Sequence, residues 1–389
     1  MRDGWVETTL GEVASLQMGR TPSRREPRYW TDNLTLPFCT IADIESKLVD
    51  PKREGITQAA IDEGKAKIAR MGTLLMSFKL TIGRLGFAAK DIFPNEAIVM
   101  IEADQTRVLN EFLYLRLGSM DLTMNSGRAV KGSTLNSASI ASIAFSIPPL
   151  PEQKRIVDLI SSVDSYIEGL QRQLESAKGS RNAVLHELLT AGGDDWVETT
   201  LDAIAEVVMG QSPDGKTYNQ DGKGLPFMQG SAEFGEHNPA PEKWCSDPKK
   251  VAEPGDLLLS VRAPVGDTNF ADQRIAVGRG LSIIRANKES RTEFIRLVIQ
   301  WNVTELIASS GSGMFASITG KNLKKFKVNL PPLPEQNRIV DIVNTIDEVI
   351  SQTELTTSKA QNLRAGLLSD LLSGDHAIPT SYDKVMGAA

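Results

Sequence analysis

The hexapeptide Pro148-Pro149-Leu150-Pro151-Glu152-Gln153 decides how this chain of 389 residues is organised, because it returns as Pro331-Pro332-Leu333-Pro334-Glu335-Gln336. A proline that precedes another proline is held extended, and a proline in the first turn of a helix loses no hydrogen bond. The glutamate that follows favours the positively polarised helix N-terminus. The hexapeptide therefore predicts the start of a long helix at two places in the chain.

Apolar residues follow both openings at alternating steps of four and three, which is the a/d spacing of a coiled coil. Arg181 and Arg364 interrupt the two seams at equivalent positions. We expect the seams to pair with each other through Ile156, Ile160, Val163, Ile167, Leu170 and Leu174 in the first helix and Ile339, Val343, Ile346, Ile350, Leu367 and Leu371 in the second. The alternative is that each helix covers a separate domain core, although a helix of that kind usually shows a wider apolar stripe.

The segments before the two helices are also copies of each other. Trp5-Val6-Glu7-Thr8-Thr9-Leu10 recurs as Trp196-Val197-Glu198-Thr199-Thr200-Leu201, and Gly19-Arg20-Thr21-Pro22 recurs as Gly210-Gln211-Ser212-Pro213. The repeat divides the chain into a first globular domain (1–147), a first helix (148–192), a second globular domain (193–330), a second helix (331–375) and a C-terminal tail (376–389).

Short apolar runs with glycine, proline and asparagine between them fill both globular domains, which is typical of an α+β fold with many loops. Strands are predicted over 73–78, 97–101, 256–261 and 281–284. One helix is predicted in each domain, over 110–117 and 292–307.

Composition and motifs exclude several kinds of site. Three histidines and two cysteines stand far apart, so no zinc site and no disulfide framework is expected. Gly320-Lys321 lacks both the preceding glycine and the following serine or threonine of a phosphate-binding P-loop. No Asn/Asp-Pro-Pro-aromatic loop of a DNA amino-methyltransferase is present. No catalytic residue, metal site or cofactor site is therefore predicted in this chain.

The chain carries 43 basic and 49 acidic residues, a net charge of −6, which argues against coating nucleic acid by bulk charge. It has no apolar run long enough for a membrane span and no signal peptide, so we expect a cytoplasmic protein without a membrane partner. Local basic clefts are compatible with this composition.

Basic and small polar side chains recur in equivalent loops of the two domains. Arginine and glutamine can bond base edges, whereas lysine mostly fastens phosphates. The candidate DNA-contacting residues are Arg20, Arg24, Arg25, Arg28, Lys79, Arg128, Lys131, Ser133 and Thr134 in the first domain and Gln211, Lys216, Tyr218, Arg262, Phe315, Ser317 and Lys321 in the second. The alternative is that each is an ordinary solvated surface residue.

The duplicated Trp-x-x-x-x-Leu start, Gly-x-[Thr/Ser]-Pro turn and Pro-Pro-Leu-Pro-Glu-Gln helix opening resemble the specificity subunit of type I restriction–modification enzymes, over residues 5 to 375. The resemblance implies two target-recognition domains that each read half of an asymmetric double-stranded DNA target, separated by two antiparallel helices in a pseudo-two-fold arrangement. It also implies two methyltransferase subunits as partners, and these subunits would hold the S-adenosylmethionine site. Restriction and translocase subunits would bind this chain through the methyltransferase subunits.

Two other classes of function stay open at this point. A tandem-domain coiled-coil scaffold that binds proteins without DNA specificity would use the same helices. A self-sufficient DNA methyltransferase would need the cofactor loop that the chain lacks.

Overall fold

A computed structural model of the chain describes residues 4–125, 127–129, 132–235, 238–308 and 317–385. Contacts divide it into two compact units, one comprising Met1–Gly169 with Thr357–Ala389 and the other Leu170–Thr356. Each unit therefore combines one globular domain with half of each long helix. Because the units divide the chain inside the helices, the domain boundaries given above stay a prediction.

The strands of the first unit are mostly short. They are β1 (Val6–Thr9), β2 (Ala14–Met18), β3 (Trp30–Thr31), β4 (Phe38–Cys39), β5 (Leu48–Val49), β6 (Gly55–Ile56), β7 (Leu74–Ser77), β8 (Leu85–Ala88), β9 (Phe93–Pro94), β10 (Ile98–Ala103), β11 (Gly127–Ala129), β12 (Gly132–Thr134) and β13 (Ala144–Ile147). The helices that begin in this stretch are α1 (Leu10–Val13), α2 (Gln58–Asp62), α3 (Asn110–Gly118), α4 (Ser137–Ala141) and the long α5 (Leu150–Thr190).

A five-stranded sheet in the order β2-β10-β7-β8-β5 lies at the centre of the first domain. Its strands are antiparallel neighbours except β5, which joins β8 in parallel. On one face, Leu74 and Met76 pack in a core with Phe112 of α3. On the other, Leu75 packs in a second core with Ile98. Burial on both faces explains why β7 reads as a continuous apolar run.

The second unit repeats this plan with a different second sheet. Its strands are β14 (Val197–Thr200), β15 (Ala205–Met209), β16 (Tyr218–Asn219), β17 (Leu225–Met228), β18 (Lys243–Cys245), β19 (Val251–Ala252), β20 (Leu257–Ser260), β21 (Thr268–Phe270), β22 (Ile275–Val277), β23 (Leu281–Ala286) and β24 (Lys327–Leu330). The remaining helices of the chain are α6 (Leu201–Ile204), α7 (Thr292–Trp301), α8 (Val303–Ala308), α9 (Gly320–Lys324), the long α10 (Leu333–Ser373) and α11 (Tyr382–Val385).

The sheet β15-β23-β20-β21 corresponds to the central sheet of the first domain, and the order β16-β18-β17-β22-β19 forms a separate sheet beside it. The prediction of a single helix over 292–307 is wrong, because the helix breaks at Asn302 into α7 and α8. The side chain of Asn302 donates to the carbonyl of Val298 at 3.0 Å, and a side-chain bond of this kind competes with helix continuation.

The two long helices are confirmed, and each has 41 residues. Every predicted pairing residue on them is buried or half-buried. Ile156, Ile160 and Leu371 belong to the core of the first domain, and Ile339 and Val343 belong to that of the second. Each domain core therefore contains residues of both helices, so the helices contact each other where they cover the cores, while pairing through each of the predicted seam residues stays a prediction.

Candidate nucleic-acid interface

A close approach between two backbone segments sets the position of the candidate loops in each domain. Gly19 follows β2, and a Cβ added to it would lie 2.2 Å from the carbonyl oxygen of Asn95. Gly210 follows β15, and its Cβ would lie 2.1 Å from the carbonyl oxygen of Gly278. Only glycine permits this approach, which we call the glycine crossing. It holds residues 20–21 against 94–96 in one domain and residues 211–212 against 277–279 in the other.

The first glycine crossing carries one positively charged residue, Arg20, and one negatively charged residue, Glu96. The Arg20 guanidinium donates to the carbonyl of Gly64 at 2.6 Å, and the Thr21 hydroxyl donates to the carboxylate of Glu96. Arg20 and Glu96 are exposed. The predicted residue Arg20 thus lies at a polar surface, next to a carboxylate that the sequence analysis did not identify.

Arg24 is tied to the domain by two kinds of contact. Its guanidinium makes two bonds to the Glu54 carboxylate, at 2.6 and 2.5 Å, and lies 3.5 Å from the centre of the Trp30 ring. This hydrogen bonding raises the pKa of Arg24 and lowers the pKa of Glu54. Arg24 is therefore already paired, and a phosphate would have to compete with Glu54 for it.

Arg28 is likewise engaged by carboxylates. It donates to Glu63 at 2.7 Å and to Glu26 at 2.9 Å. The Tyr29 hydroxyl also donates to Glu63, and this bond raises the pKa of Tyr29 to about 12. Arg25, in contrast, is exposed and makes no side-chain ion pair within the described part of the chain.

Lys79 lies two residues beyond the end of the central strand β7 and is half-buried, with its ammonium 5.4 Å from the centre of the Phe78 ring. The hairpin of β11 and β12 precedes Leu135, whose amide donates to the carbonyl of Phe78 at 3.0 Å. The hairpin register places Arg128 opposite Ser133 and Thr134 opposite Gly127. The chain thus brings the hairpin to the Lys79 loop, while the predicted residue Lys131 lies outside the described residues.

The second glycine crossing is built by the same backbone bonds but carries different side chains. Gln211 is exposed, and its backbone amide donates to the carbonyl of Val277 at 3.0 Å. The Ser212 hydroxyl bonds Gln229 and accepts from the amide of Arg279 at 3.4 Å. Arg279 is exposed, and in the described ranges its guanidinium makes no ion pair. Arg279 was not among the sequence-based candidates, and it lies between Gly278 and Gly280.

The two predicted residues on the next loop differ in availability. Lys216 is exposed. Tyr218 is half-buried, its ring stacks on Phe227 at 4.7 Å, and its hydroxyl donates to the carbonyl of Pro213 at 3.0 Å. Burial raises the pKa of Tyr218. The tyrosine hydroxyl is therefore used inside the domain.

Arg262 repeats the position of Lys79 in the second domain. It follows β20, is exposed, and forms a backbone bridge with Ser317. The next helix, α9, is capped by Thr319, and its residue Lys321 is exposed. Arg262 and Ser317 are thus neighbours across a backbone bridge, and Lys321 follows Ser317 by four residues, while the predicted residue Phe315 lies outside the described residues.

Two equivalent ion pairs join the long helices. In the second unit, Arg181 of α5 binds Asp347 of α10 with both nitrogens of its fork, the Nη2 to Oδ2 distance being 3.0 Å. In the first unit, Arg364 of α10 binds Asp164 of α5 in the same way, with a Nη2 to Oδ2 distance of 3.1 Å. The arginines that interrupt the two seams therefore each bind an aspartate of the other helix.

The glutamine of each hexapeptide is a positioning residue that the sequence analysis did not identify. Gln336 is fully buried, donates to the carbonyls of Glu289 and Pro331, and accepts from the amide of Arg291, each at 2.9 Å. Gln153 makes the corresponding three bonds in the first domain. We call this arrangement the glutamine clamp. The signal for it was the identity of the residue in both copies.

The described residues contain no group of three or more histidine, cysteine, aspartate or glutamate side chains that could hold a metal ion. In the same ranges, no helix is both long and apolar enough to cross a membrane.

Relatives of this chain are named as specificity subunits of type I restriction enzymes. The chain is 33% identical over 271 residues to the putative type I restriction enzyme MjaX specificity subunit of Methanocaldococcus jannaschii, a match that covers 65% of this chain and 64% of the relative. It is 25% identical over 195 residues to the EcoR124I/EcoR124II specificity subunit of Escherichia coli, covering 45% of this chain and 46% of that subunit. The chain thus spans less than two thirds of the length of either relative.

Solved structures extend the likeness to nearly the whole chain. A chain from a study of complex assembly and conformational transition of the type I R-M system matches with a TM-score of 0.67 and 26% identity, over 95% of this chain and 98% of that chain. The HsdS subunit from Thermoanaerobacter tengcongensis matches with a TM-score of 0.52 and 28% identity, over 97% and 98%. The family described as type I restriction modification DNA specificity domain matches residues 2–177 and 193–363. Since these two matches take up most of both copies, the chain belongs to the family of type I restriction modification DNA specificity domains.

Proposed function

We propose that this chain is the DNA-specificity subunit of a type I restriction–modification system, in which each globular domain reads one half of an interrupted, asymmetric target. The observation that carries the proposal is the glycine crossing, which repeats one backbone arrangement in two domains with different polar side chains on it. Two copies of one scaffold with different side chains suit two different half-sites. Family membership supports the same role.

Exposed basic residues would fasten the DNA backbone. Arg25, Lys216, Arg262 and Lys321 are exposed on loops and short helical turns, where a phosphate can reach them. Phosphate contacts set the register of a protein on duplex DNA, whereas base-edge contacts supply specificity. Arg24 contributes in a different way, because its pairing with Glu54 fixes the loop that carries Arg25.

The chemistry would belong to partner subunits. We assign S-adenosylmethionine binding and methyl transfer to two methyltransferase subunits, and DNA cleavage and translocation to restriction subunits bound through them. The duplication supports a pair of docking sites, since both long helices begin with the same hexapeptide. Such a role places the chain in the cytoplasm, where its DNA substrate is.

Methylation mapping tests the proposal. The chain is produced together with its methyltransferase subunits, the complex is incubated with S-adenosylmethionine and a random-sequence DNA library, and methylated adenines are sequenced. We expect one motif with two specified halves around an unspecified spacer, and no such motif when this chain is omitted. A scaffold that binds only proteins would assemble the same complex and yield no sequence motif.

Calorimetry locates the cofactor. The isolated chain is titrated with S-adenosylmethionine, and the complex with its methyltransferase subunits serves as the positive control. We expect saturable binding by the complex only. Saturable micromolar binding by the isolated chain would contradict the assignment of methyl transfer to a partner and favour a self-sufficient methyltransferase.

A further inference from the structure

The internal duplication provides two versions of one surface for comparison. At the first glycine crossing, the backbone amide of Arg20 donates to the carbonyl of Pro94. At the second, the backbone amide of Gln211 donates to the carbonyl of Val277. The residues two positions further along, Glu96 and Arg279, are therefore equivalent in backbone position.

The equivalent positions carry opposite charges on a shared frame. Thr21 and Ser212 place a hydroxyl next to Glu96 and Arg279 respectively, at a similar point of each crossing. Both Glu96 and Arg279 are exposed. Since the same backbone forms around either charge, packing does not require a particular residue there. The choice of residue is left free for recognition.

Charge and geometry indicate what each side chain would recognise. Arginine binds the O6 and N7 acceptors of guanine with both arms of its fork, whereas a carboxylate accepts a hydrogen bond from the N4 amino group of cytosine. A carboxylate is repelled by phosphates, so in a DNA-binding loop its favourable position is at a base edge. Glu96 lies near the 20–28 loop, since its charge helps to raise the pKa of Arg24, and the exposed Arg25 of that loop would hold the DNA backbone beside it.

We propose that Glu96 and Arg279 are equivalent base-reading residues of the two domains, Arg279 specifying a guanine in one half-site and Glu96 specifying a cytosine in the other. This inference rests on the proposed DNA-reading function and names the residues that give the two domains different specificity. Neither residue was among the sequence-based candidates.

The test uses the complex with methyltransferase subunits and sequences the adenines that it methylates. For Arg279→Ala we expect discrimination at one guanine of one half-site to fall by about 5- to 150-fold, while the other half-site keeps its full specificity. For Glu96→Gln we expect the converse, with one cytosine position relaxed in the half-site that Arg279→Ala leaves intact. Arg274→Ala is the matched control, because Arg274 is an exposed arginine of the second domain whose guanidinium is 3.2 Å from Glu253.

Three outcomes would overturn the inference. One is an unchanged motif at full activity for both variants. Another is a uniform loss over all positions with a lower salt dependence, which is the signature of a phosphate contact. The third is relaxation of the same half-site by both variants. Arg279→Lys guards against misfolding, since it keeps the charge and loses the bidentate fork, so that we expect partial relaxation at the same guanine only. A wild-type complex without any defined motif would instead contradict the proposed function itself.

Discussion

Replacing Gln336 by alanine is expected to destabilise the second unit by about 3 kcal/mol, because three backbone groups lose their partner in the glutamine clamp. The bond to the Pro331 carbonyl is fully buried, and those to Glu289 and Arg291 are partly buried. A buried polar group left without a partner costs about 1–3 kcal/mol. Since Glu289 is exposed and its carbonyl can regain water, we count the full cost only for Pro331 and Arg291.

Thermal unfolding and hydrogen exchange of the full chain measure this effect. A loss of about 3 kcal/mol corresponds to about 6–12 °C in Tm for a unit of this size. The backbone amide of Arg291, the residue just before α7, should exchange faster than in the wild type because its acceptor is gone. Glu335→Ala is the matched control. It removes an exposed ion pair to Arg338, and such pairs contribute below about 1 kcal/mol.

A charged variant gives the same clamp a pH signature. In Gln336→Glu the new carboxyl faces the two carbonyl oxygens, which disfavour its ionised form and raise its folded-state pKa above the unfolded value of about 4.3. The free energy of unfolding of Gln336→Glu, relative to that of the wild type, is therefore greatest below about pH 4.3 and falls as the pH rises through the folded-state pKa of the new carboxyl. The reasoning on the clamp would be refuted if the free energy of unfolding of Gln336→Ala lay within about 0.5 kcal/mol of the wild-type value and hydrogen exchange at the Arg291 amide were unchanged.

The remaining predictions concern the helix pair, the tail and the DNA-binding loop. A double-mutant cycle on Arg364 and Asp164 should give a coupling of about 1 kcal/mol in chemical unfolding, and additive single effects would show that the pair contributes nothing. Asp383→Asn should loosen α11, because the aspartate binds the Arg155 guanidinium at 2.7 and 2.8 Å, and this pairing lowers the pKa of Asp383. The loosening should appear as faster exchange in the tail, and acidification of the wild type through the lowered pKa should reproduce it. Arg25→Ala should weaken binding to all DNA sequences alike and reduce the salt slope by about 1, whereas a change confined to one base position would contradict a phosphate contact.

The long helices could be predicted from sequence because their determinants are local. Prolines in the first turn fix where each helix begins, and the apolar spacing persists to its end. Central strands such as β7 were visible as apolar runs for the same reason. The sheet order and the break at Asn302 could not be predicted, since both depend on contacts that are remote in sequence or on a single side-chain bond.

The candidate interface could be predicted only in outline. Glu54 and Glu63 lie 30 and 35 residues from the arginines they bind, so the sequence gives no sign that Arg24 and Arg28 are paired. Arg25 stands between those two arginines and has no such partner in the described structure. The basic residues of the sequence therefore indicated the loop. Only the folded structure shows that Arg24 and Arg28 are paired and that Arg25 stays available for DNA.

The same dependence on remote partners explains why the seams contain arginines at all. If the duplicated helices were parallel and in register, Arg181 would face Arg364 and Asp164 would face Asp347, because these are equivalent positions of the two copies. Like charges in such contacts repel and disfavour that arrangement. In the antiparallel arrangement each arginine meets the aspartate of the other helix, as both ion pairs show. An apolar residue at positions 181 and 364 would pack in either orientation. The polar interruption of each seam therefore gives up some apolar contact and selects the antiparallel orientation of the helices.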